Sequence, residues 1–182
     1  MAVSKVDAAN QIENTLPIAQ GGTGMTSGFK NGITVADQWR LTANVTADTD
    51  PISSNLEQID GTAQGTLGSA MTVSSGRFAF PQTGIYLVRF NAYTVQDSNG
   101  DNILVGITAT TDNSTYTEIA RAYAGGSNSA HNSVSVESLI DVTDTSLVKV
   151  SFKLTSVDSG SQIRGNSSAN HSYMTFLRLG DT

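Results

Sequence analysis

The sequence predicts an all-β protein: one sandwich domain behind an extended N-terminal arm. The first observation is the run Gly76-Arg77-Phe78-Ala79-Phe80-Pro81-Gln82-Thr83-Gly84-Ile85-Tyr86-Leu87-Val88-Arg89-Phe90-Asn91-Ala92-Tyr93, in which an aromatic segment enters a turn and a long alternating segment leaves it. Pro81 has no N–H to give to a sheet ladder and Gly84 is free to take positive φ, so the pair brackets a tight turn between strands. Tyr86, Val88, Phe90 and Ala92 fall on one face, and Ile85, Leu87, Arg89 and Asn91 on the other. That second face is not wholly polar, as expected of a strand covered on both sides, with another subunit as its second cover. The second observation is a succession of short alternating segments divided by turn clusters, the pattern of a sandwich or barrel. The third is that no heptad repeat and no long amphipathic helix interrupts them.

Taken in order, Trp39-Arg40-Leu41-Thr42 reads as the first strand. Residues Ile52 to Ile59 read as irregular, with one helical turn at Ser54-Asn55-Leu56-Glu57. Met71-Thr72-Val73 and Arg77 to Phe80 precede the long strand over Ile85 to Val95. Asn102 to Ala109 follows, with Ile103, Val105 and Ile107 on one face. Tyr116 to Tyr123 comes after a turn at Asp112-Asn113-Ser114. A Gly/Ser/Asn loop over Gly125 to Asn132 leads into Val134 to Val142. Leu147 to Leu154 alternates cleanly, with Val148, Val150, Phe152 and Leu154 inward against Lys149, Ser151 and Lys153 outward. Ser172 to Leu179 closes the chain. The number of strands fits a two-sheet jelly roll.

The chain has 182 residues, enough for one domain of ordinary size plus an extension. Only 14% of residues are charged, against roughly 25% in a typical globular protein. Ser, Thr, Asn and Gly fill the gap, which suits a turn-rich β surface wetted by hydroxyls and amides. The net charge of −6 and the lack of any basic run exclude nucleic acid as the expected partner. There is no cysteine, so disulfides, thiolate metal sites and cysteine nucleophiles fall away together. Met1 to Asp7 has no apolar signal region and no segment reaches the length of a membrane span, so neither export by signal peptide nor membrane insertion is expected.

The candidate chemistry is sparse. His131 lies in a Ser/Asn loop and His171 at a strand entrance, with no Gly-x-Ser-x-Gly elbow or His-Glu-x-x-His pair near either. Both read as surface polar residues, and no catalytic centre is expected. Asp97, Asn99 and Asp101 place oxygen ligands at alternate positions around Gly100, the donor type Ca²⁺ takes. The glutamate that closes an EF-hand loop is missing, and an Asn-Gly hairpin turn accounts for the same residues; calcium is the sole cofactor considered. Gly21-Gly22-Thr23-Gly24 follows no strand and lacks a Gly-Lys-Ser/Thr step, so it is not a phosphate loop. The four sequons, at Asn44, Asn113, Asn166 and Asn170, follow from a Ser/Thr/Asn-rich composition. Trp39, Tyr93, Tyr116 and Tyr123 read either as a sugar-stacking groove or as core and interface packing, and packing is the reading adopted.

Two resemblances add to this. The Phe80 to Phe90 segment, with its Phe-x-x-x-Gly-x-Tyr core, resembles the central strand pair of C1q/TNF-like jelly rolls. Tyr173-Met174-Thr175-Phe176-Leu177-Arg178-Leu179-Gly180-Asp181-Thr182 is similar to the closing strand of C1q-like domains in phage and marine microbial proteins. With Trp39-Arg40-Leu41, the resemblance spans residues 38–182 and implies a homotrimeric, non-enzymatic knob. Tyr86, Val88, Phe90, Met174, Phe176 and Leu179 are then expected at the threefold interface or in the core. Residues 1–37 form the other expected unit, an anchoring arm lying along a neighbouring chain. Its Leu16-Pro17-Ile18-Ala19-Gln20-Gly21-Gly22-Thr23-Gly24 is similar to the Leu-Pro-x-Ala-x-Gly-Gly-Thr-Gly segments of tailed-phage fibre proteins. Leu16, Pro17, Ile18, Gly21, Gly22 and Gly24 are its candidate anchoring positions. The implied function is a virion structural protein, assembled in the host cytoplasm and displayed on the particle surface as a capsid decoration protein or short head fibre. The arm would hold it to other virion proteins. The alternative is a tail-fibre tip that recognises a host surface glycan or protein through loops such as 125–132 and 159–170.

Overall fold

A computed structural model describes residues 32–97, 101–126 and 129–182. Ile33–Thr182 form one compact unit, so the folded domain begins five residues before the expected Gln38, and Val35 is already in its core. The arm positions Leu16, Pro17, Ile18, Gly21, Gly22 and Gly24 lie outside the described residues.

The described residues contain eleven strands and no helix. They are β1 (Ala36–Leu41), β2 (Leu56–Gln58), β3 (Thr72–Ser74), β4 (Arg77–Ala79), β5 (Gly84–Gln96), β6 (Asp101–Thr110), β7 (Thr117–Gly126), β8 (Ala130–Val142), β9 (Lys149–Thr155), β10 (Gln162–Ile163) and β11 (Tyr173–Gly180). One sheet runs β2-β1-β11-β5-β8, with the short β10 pairing the far end of β5. The other runs β3-β4-β9-β6-β7, and every pairing is antiparallel. Neighbours in space are distant in sequence, as when β5 lies between β11 and β8. The architecture is a two-sheet jelly roll.

Two expectations are corrected. The predicted helical turn at 54–57 is instead the entry to β2: Asn55 takes φ of 58°, and Leu56, Glu57 and Gln58 pair with Leu41, Arg40 and Trp39. The pairing with β1 supplies backbone partners that local propensity cannot foresee. The predicted loop over Gly125 to Asn132 is mostly strand, because Gly125 and Gly126 pair with Asn102 and Asp101, and Ala130 to Asn132 pair with Gln96 to Thr94. Backbone ladders are indifferent to the Gly/Asn composition that suggested a loop.

Alternation along β5 sends Tyr86, Val88, Phe90 and Ala92 between the sheets, as its sequence pattern requires. Phe78 of β4 meets Trp39 of β1 at 5.4 Å and Phe176 of β11 at 5.2 Å between ring centroids. Phe152 of β9 meets Phe90 of β5 at 5.4 Å and Phe176 at 6.0 Å. These rings cross the gap between the sheets, within the contact range of aromatic pairs. Gly84, with φ of 137°, opens β5 where an added Cβ would collide with the Gly180 carbonyl and the Arg178 guanidinium.

Two charged residues close the β1 side. Asp37 is buried and accepts from Met71 N at 2.8 Å, Trp39 Nε1 at 3.0 Å, Gln58 Nε2 at 3.0 Å and Thr66 Oγ1 at 3.3 Å. Arg40 points to the opposite face of the sheet yet is also fully covered, bonded to Glu57 at 2.9 Å and to Asp60. Burial disfavours its charge, but the bonds to the two carboxylates outweigh that and raise its pKa.

Phe152→Ala is expected to lower unfolding free energy by about 3–5 kcal/mol, since it removes a ring touching both sheets. Phe152→Leu should cost less than half of that. Urea unfolding of both variants checks the ranking; equal losses would mean that aliphatic volume alone does not replace the ring contacts across the sheets.

Candidate functional site: the outer faces of the sandwich

Strand register places Leu139 of β8, Leu87 of β5, Leu177 of β11 and Ala36 of β1 side by side on the outer face of the first sheet. Ala36 in turn bridges Leu67. Leu139 is 62% exposed, Leu67 51% and Leu179 50%. The next row is polar: Arg89 Nε donates to Glu137 at 2.8 Å, and Gln38 Nε2 donates to Thr175 Oγ1 at 3.0 Å. Ser135, Asn91 and Tyr173 follow in the row beyond. At the far end, the Tyr93 hydroxyl lies 2.7 Å from His131 Nδ1, and the ring of His171 packs edge-on against Tyr93 at 5.7 Å. This face grades from exposed leucines through an ion pair to a tyrosine–histidine trio.

Of the six positions expected at the interface or in the core, Tyr86, Val88, Phe90, Met174 and Phe176 are fully buried between the two sheets. Only Leu179 stays on the outer face. Met174 and Phe176 therefore have no surface left for a threefold contact; their partners Phe90 and Val88 in register share the same interior. The outward residues that sequence reasoning missed are Leu139, Leu177 and Leu67. Their signal was alternation: Leu177 sits one residue from Phe176, and Leu139 one from Ile140.

The two histidines, read separately from sequence, share Tyr93 because β8 and β11 flank β5. Among the described residues neither bonds a carboxylate, and the side-chain partner of His131 is the Tyr93 hydroxyl. The four candidate aromatics do not line one groove. Trp39 is in the core layer, Tyr93 is on the first sheet, and Tyr116 and Tyr123 are on the second-sheet side with Arg77 and Arg121 respectively. For the calcium candidates, Asp97 is exposed, with its carboxylate beside Gly160 and its N–H donating to Ser161 Oγ at 3.1 Å. Asn99 and the side chain of Asp101 lie outside the described residues.

The second sheet's outer face is charged. Glu118 stands 2.6 Å from Lys153 Nζ and also pairs with Arg121. The bond from Lys153 is the main cause that holds the Glu118 carboxyl below its usual pKa, against a smaller opposing effect of burial. The turn after β6 is built on Asp112, which accepts from Thr110 Oγ1 at 2.7 Å, Ser114 N at 2.9 Å and Thr115 N at 2.8 Å. Those donors, the Thr110 hydroxyl first, push the Asp112 pKa far below the carboxylate range. The Tyr116 hydroxyl is pushed up by burial, with Arg77 acting the other way.

No family model and no curated protein matches the chain. Solved structures do. The chain is similar to Eiger TNF from S. frugiperda with a TM-score of 0.63 and 17% identity, over 83% of this chain and 95% of that one. It is similar to murine APRIL at pH 5.0 with a TM-score of 0.59 and 10% identity, over 80% and 98%. Murine APRIL at pH 8.0 gives 0.56 and 13% over the same shares. The fold is thus the TNF/C1q-like jelly roll, and at these identities the likeness shows the fold alone.

Asp112 and Glu118 have depressed folded-state pKa values, so the stability they contribute is present above the unfolded carboxylate pKa and is lost as pH falls through the folded one. Denaturant unfolding between about pH 5 and pH 2 should show a shallower acid loss in Asp112→Ala than in the parent chain. Parallel curves would mean that the turn holds Asp112 no better than the unfolded chain does.

Proposed function

We propose that this chain is a non-enzymatic structural protein that forms a homotrimeric knob on the surface of a tailed-phage particle. It serves there as a capsid decoration protein or short head fibre. The observation that carries the assembly is the row of leucines on the outer face of the first sheet. Strands about 4.8 Å apart and rising about 3.3 Å per residue, with eight facing residues in β5, β8 and β11, six in β1 and three in β2, make a planar face of roughly 500 Å². That is of the order of the ~800 Å² of accessible surface each partner buries in a standard interface. Two further copies of the same chain suit it: the leucines give an apolar centre, and the half-exposed Arg89–Glu137 pair carries both signs of charge, which a copy of itself complements. Placement on a virion is supported by the resemblance of Leu16 to Gly24 to phage fibre segments. The same segment supports a second reading, a tail-fibre tip that recognises a host surface glycan or protein.

In solution the full chain should sediment at threefold its own mass. Leu139→Glu combined with Leu179→Glu should yield monomer with an unchanged far-ultraviolet spectrum, because both side chains are exposed in the single chain. A parent chain that stays monomeric at micromolar concentration removes the trimer. Electron microscopy of the intact particle decides the rest: many copies at capsid symmetry positions support decoration, a few at the tail support host recognition, and absence from the particle overturns both.

A further inference from the structure

The outer face of the second sheet carries a cavity of about 380 Å³ at its β3–β4 edge. Its walls include Thr72, Ser74 and Ser75 on one side and Arg77 and Lys149 on the other. Register explains the grouping. Thr72, Ala79 and Lys149 stand in one cross-strand row, and Ser74, Arg77 and Ser151 in the next. The neighbours on the opposite face, Phe78 and Val150, are in the core, so the hydroxyls and cations share the outward side. Ala79, between Thr72 and Lys149, leaves room where a larger side chain would fill the space.

The charges here are unusual for this chain. Eight described residues are Arg or Lys, and five of these, Arg40, Arg89, Arg121, Lys153 and Arg178, are in ion pairs. Arg77 and Lys149 are two of the remaining three, and both line this cavity. Arg77 is held by stacking, its guanidinium carbon 4.5 Å from the Tyr116 ring centroid. Arg77 Nε is buried without a hydrogen-bond partner of good geometry, and the Tyr116 hydroxyl faces the same guanidinium. The carboxylates on the same face are engaged: Asp112 by the donors of its own turn, Glu118 by Lys153 and Arg121.

We propose that this cavity binds an anionic saccharide, a sugar unit bearing a carboxylate or phosphate. Arg77 and Lys149 lie on adjacent strands two positions out of register, about 7 Å apart at Cα. At that spacing they close on a single oxyanion, with the planar guanidinium giving paired donors and the ammonium a point charge. Thr72, Ser74 and Ser75 supply the donors and acceptors that sugar hydroxyls need. The volume falls at the small end of ligand pockets, of order 300–1,000 Å³, and suits one or two sugar rings. The site rests on neither the trimer nor a place on a virion, because it lies on the other sheet from the leucine row.

Isothermal titration of the full chain with trigalacturonate tests this, beside neutral maltotriose and inorganic phosphate. Trigalacturonate should bind, maltotriose should bind at least about tenfold more weakly, and Lys149→Gln and Arg77→Gln should each weaken trigalacturonate by about tenfold. Affinity should also fall as salt rises. If Arg77→Gln disturbs the fold through Tyr116, Lys149→Gln carries the test, since Lys149 has no ion-pair or ring partner to lose. Equal binding of maltotriose, indifference to Lys149→Gln, or no binding of trigalacturonate overturns the proposal. Phosphate alone binding as tightly as trigalacturonate overturns the saccharide and leaves only an oxyanion site.

Discussion

The aromatic bridge between the two sheets is the constraint on which the remainder of the structure depends. Phe78 and Phe152 come from one sheet, Trp39, Phe90 and Phe176 from the other, and each ring of the first pair touches at least two of the second set. With these contacts fixed, the register of β4, β9, β5, β11 and β1 is fixed as well. A slip of one residue in any of them would turn its ring to solvent. The outer faces are then determined without further choice. Leu87 is outside because Val88 is inside, and Lys149 is outside because Val150 is inside. Without disulfides or a helix among the described residues, this apolar layer is the main source of stability, so the positions of both surface features follow from it.

Polar groups finish what the rings begin. β1 reaches both faces of its sheet with a buried charge, Asp37 inward and Arg40 outward. Asp37 gathers donors from Trp39, Gln58, Thr66 and Met71; the β1–β2 ladder joins the first two, and the carboxylate ties Thr66 and Met71 to them. A buried carboxylate without such donors would cost several kcal/mol. Arg40 draws Glu57 and Asp60 over the outer face and so covers the β1–β2 end of it. Leu139 and Leu179 remain exposed where no such cover exists, toward β8 and β11.

How much of this was legible in the sequence depends on the range of the interaction concerned. The faces of β5 and β9 could be read because period-2 alternation is local: Phe90 and Phe152 announce themselves beside Arg89 and Lys153. β2 could not, because Leu56 to Gln58 is a strand only by pairing with β1, some seventeen residues away. The leucine row was half legible. Each member lies at an alternate position in its own strand, but which members become neighbours depends on jelly-roll register across three strands. The same holds for His131 and His171, forty residues apart, which meet Tyr93 only because β5 is flanked by β8 and β11. The cation pair at Arg77 and Lys149 was invisible for a further reason. It is defined by the absence of ion-pair partners, and that is known only once the other described cations have been placed.

The two outer faces differ in a way that suits the two tasks proposed for them. An assembly face needs apolar area with little net charge, because charges at the centre of an interface must be desolvated and paired. A ligand face needs the reverse: fixed donors and unpaired charge that water can leave at modest cost when an oxyanion arrives. Arg89 on the first sheet is neutralised by Glu137, whereas Arg77 on the second is held by a ring and keeps its charge available. Stacking is suited to that role, since Tyr116 positions the guanidinium without competing for its charge as a carboxylate would. Among the described residues most cations are drawn into pairs, so two left unpaired in one cavity are held apart from carboxylates by the strand rows themselves. Alternation therefore does more than separate core from surface here. It sorts a leucine face and a cationic face onto opposite sides of the same aromatic layer, and each can be changed by substitution without disturbing the other.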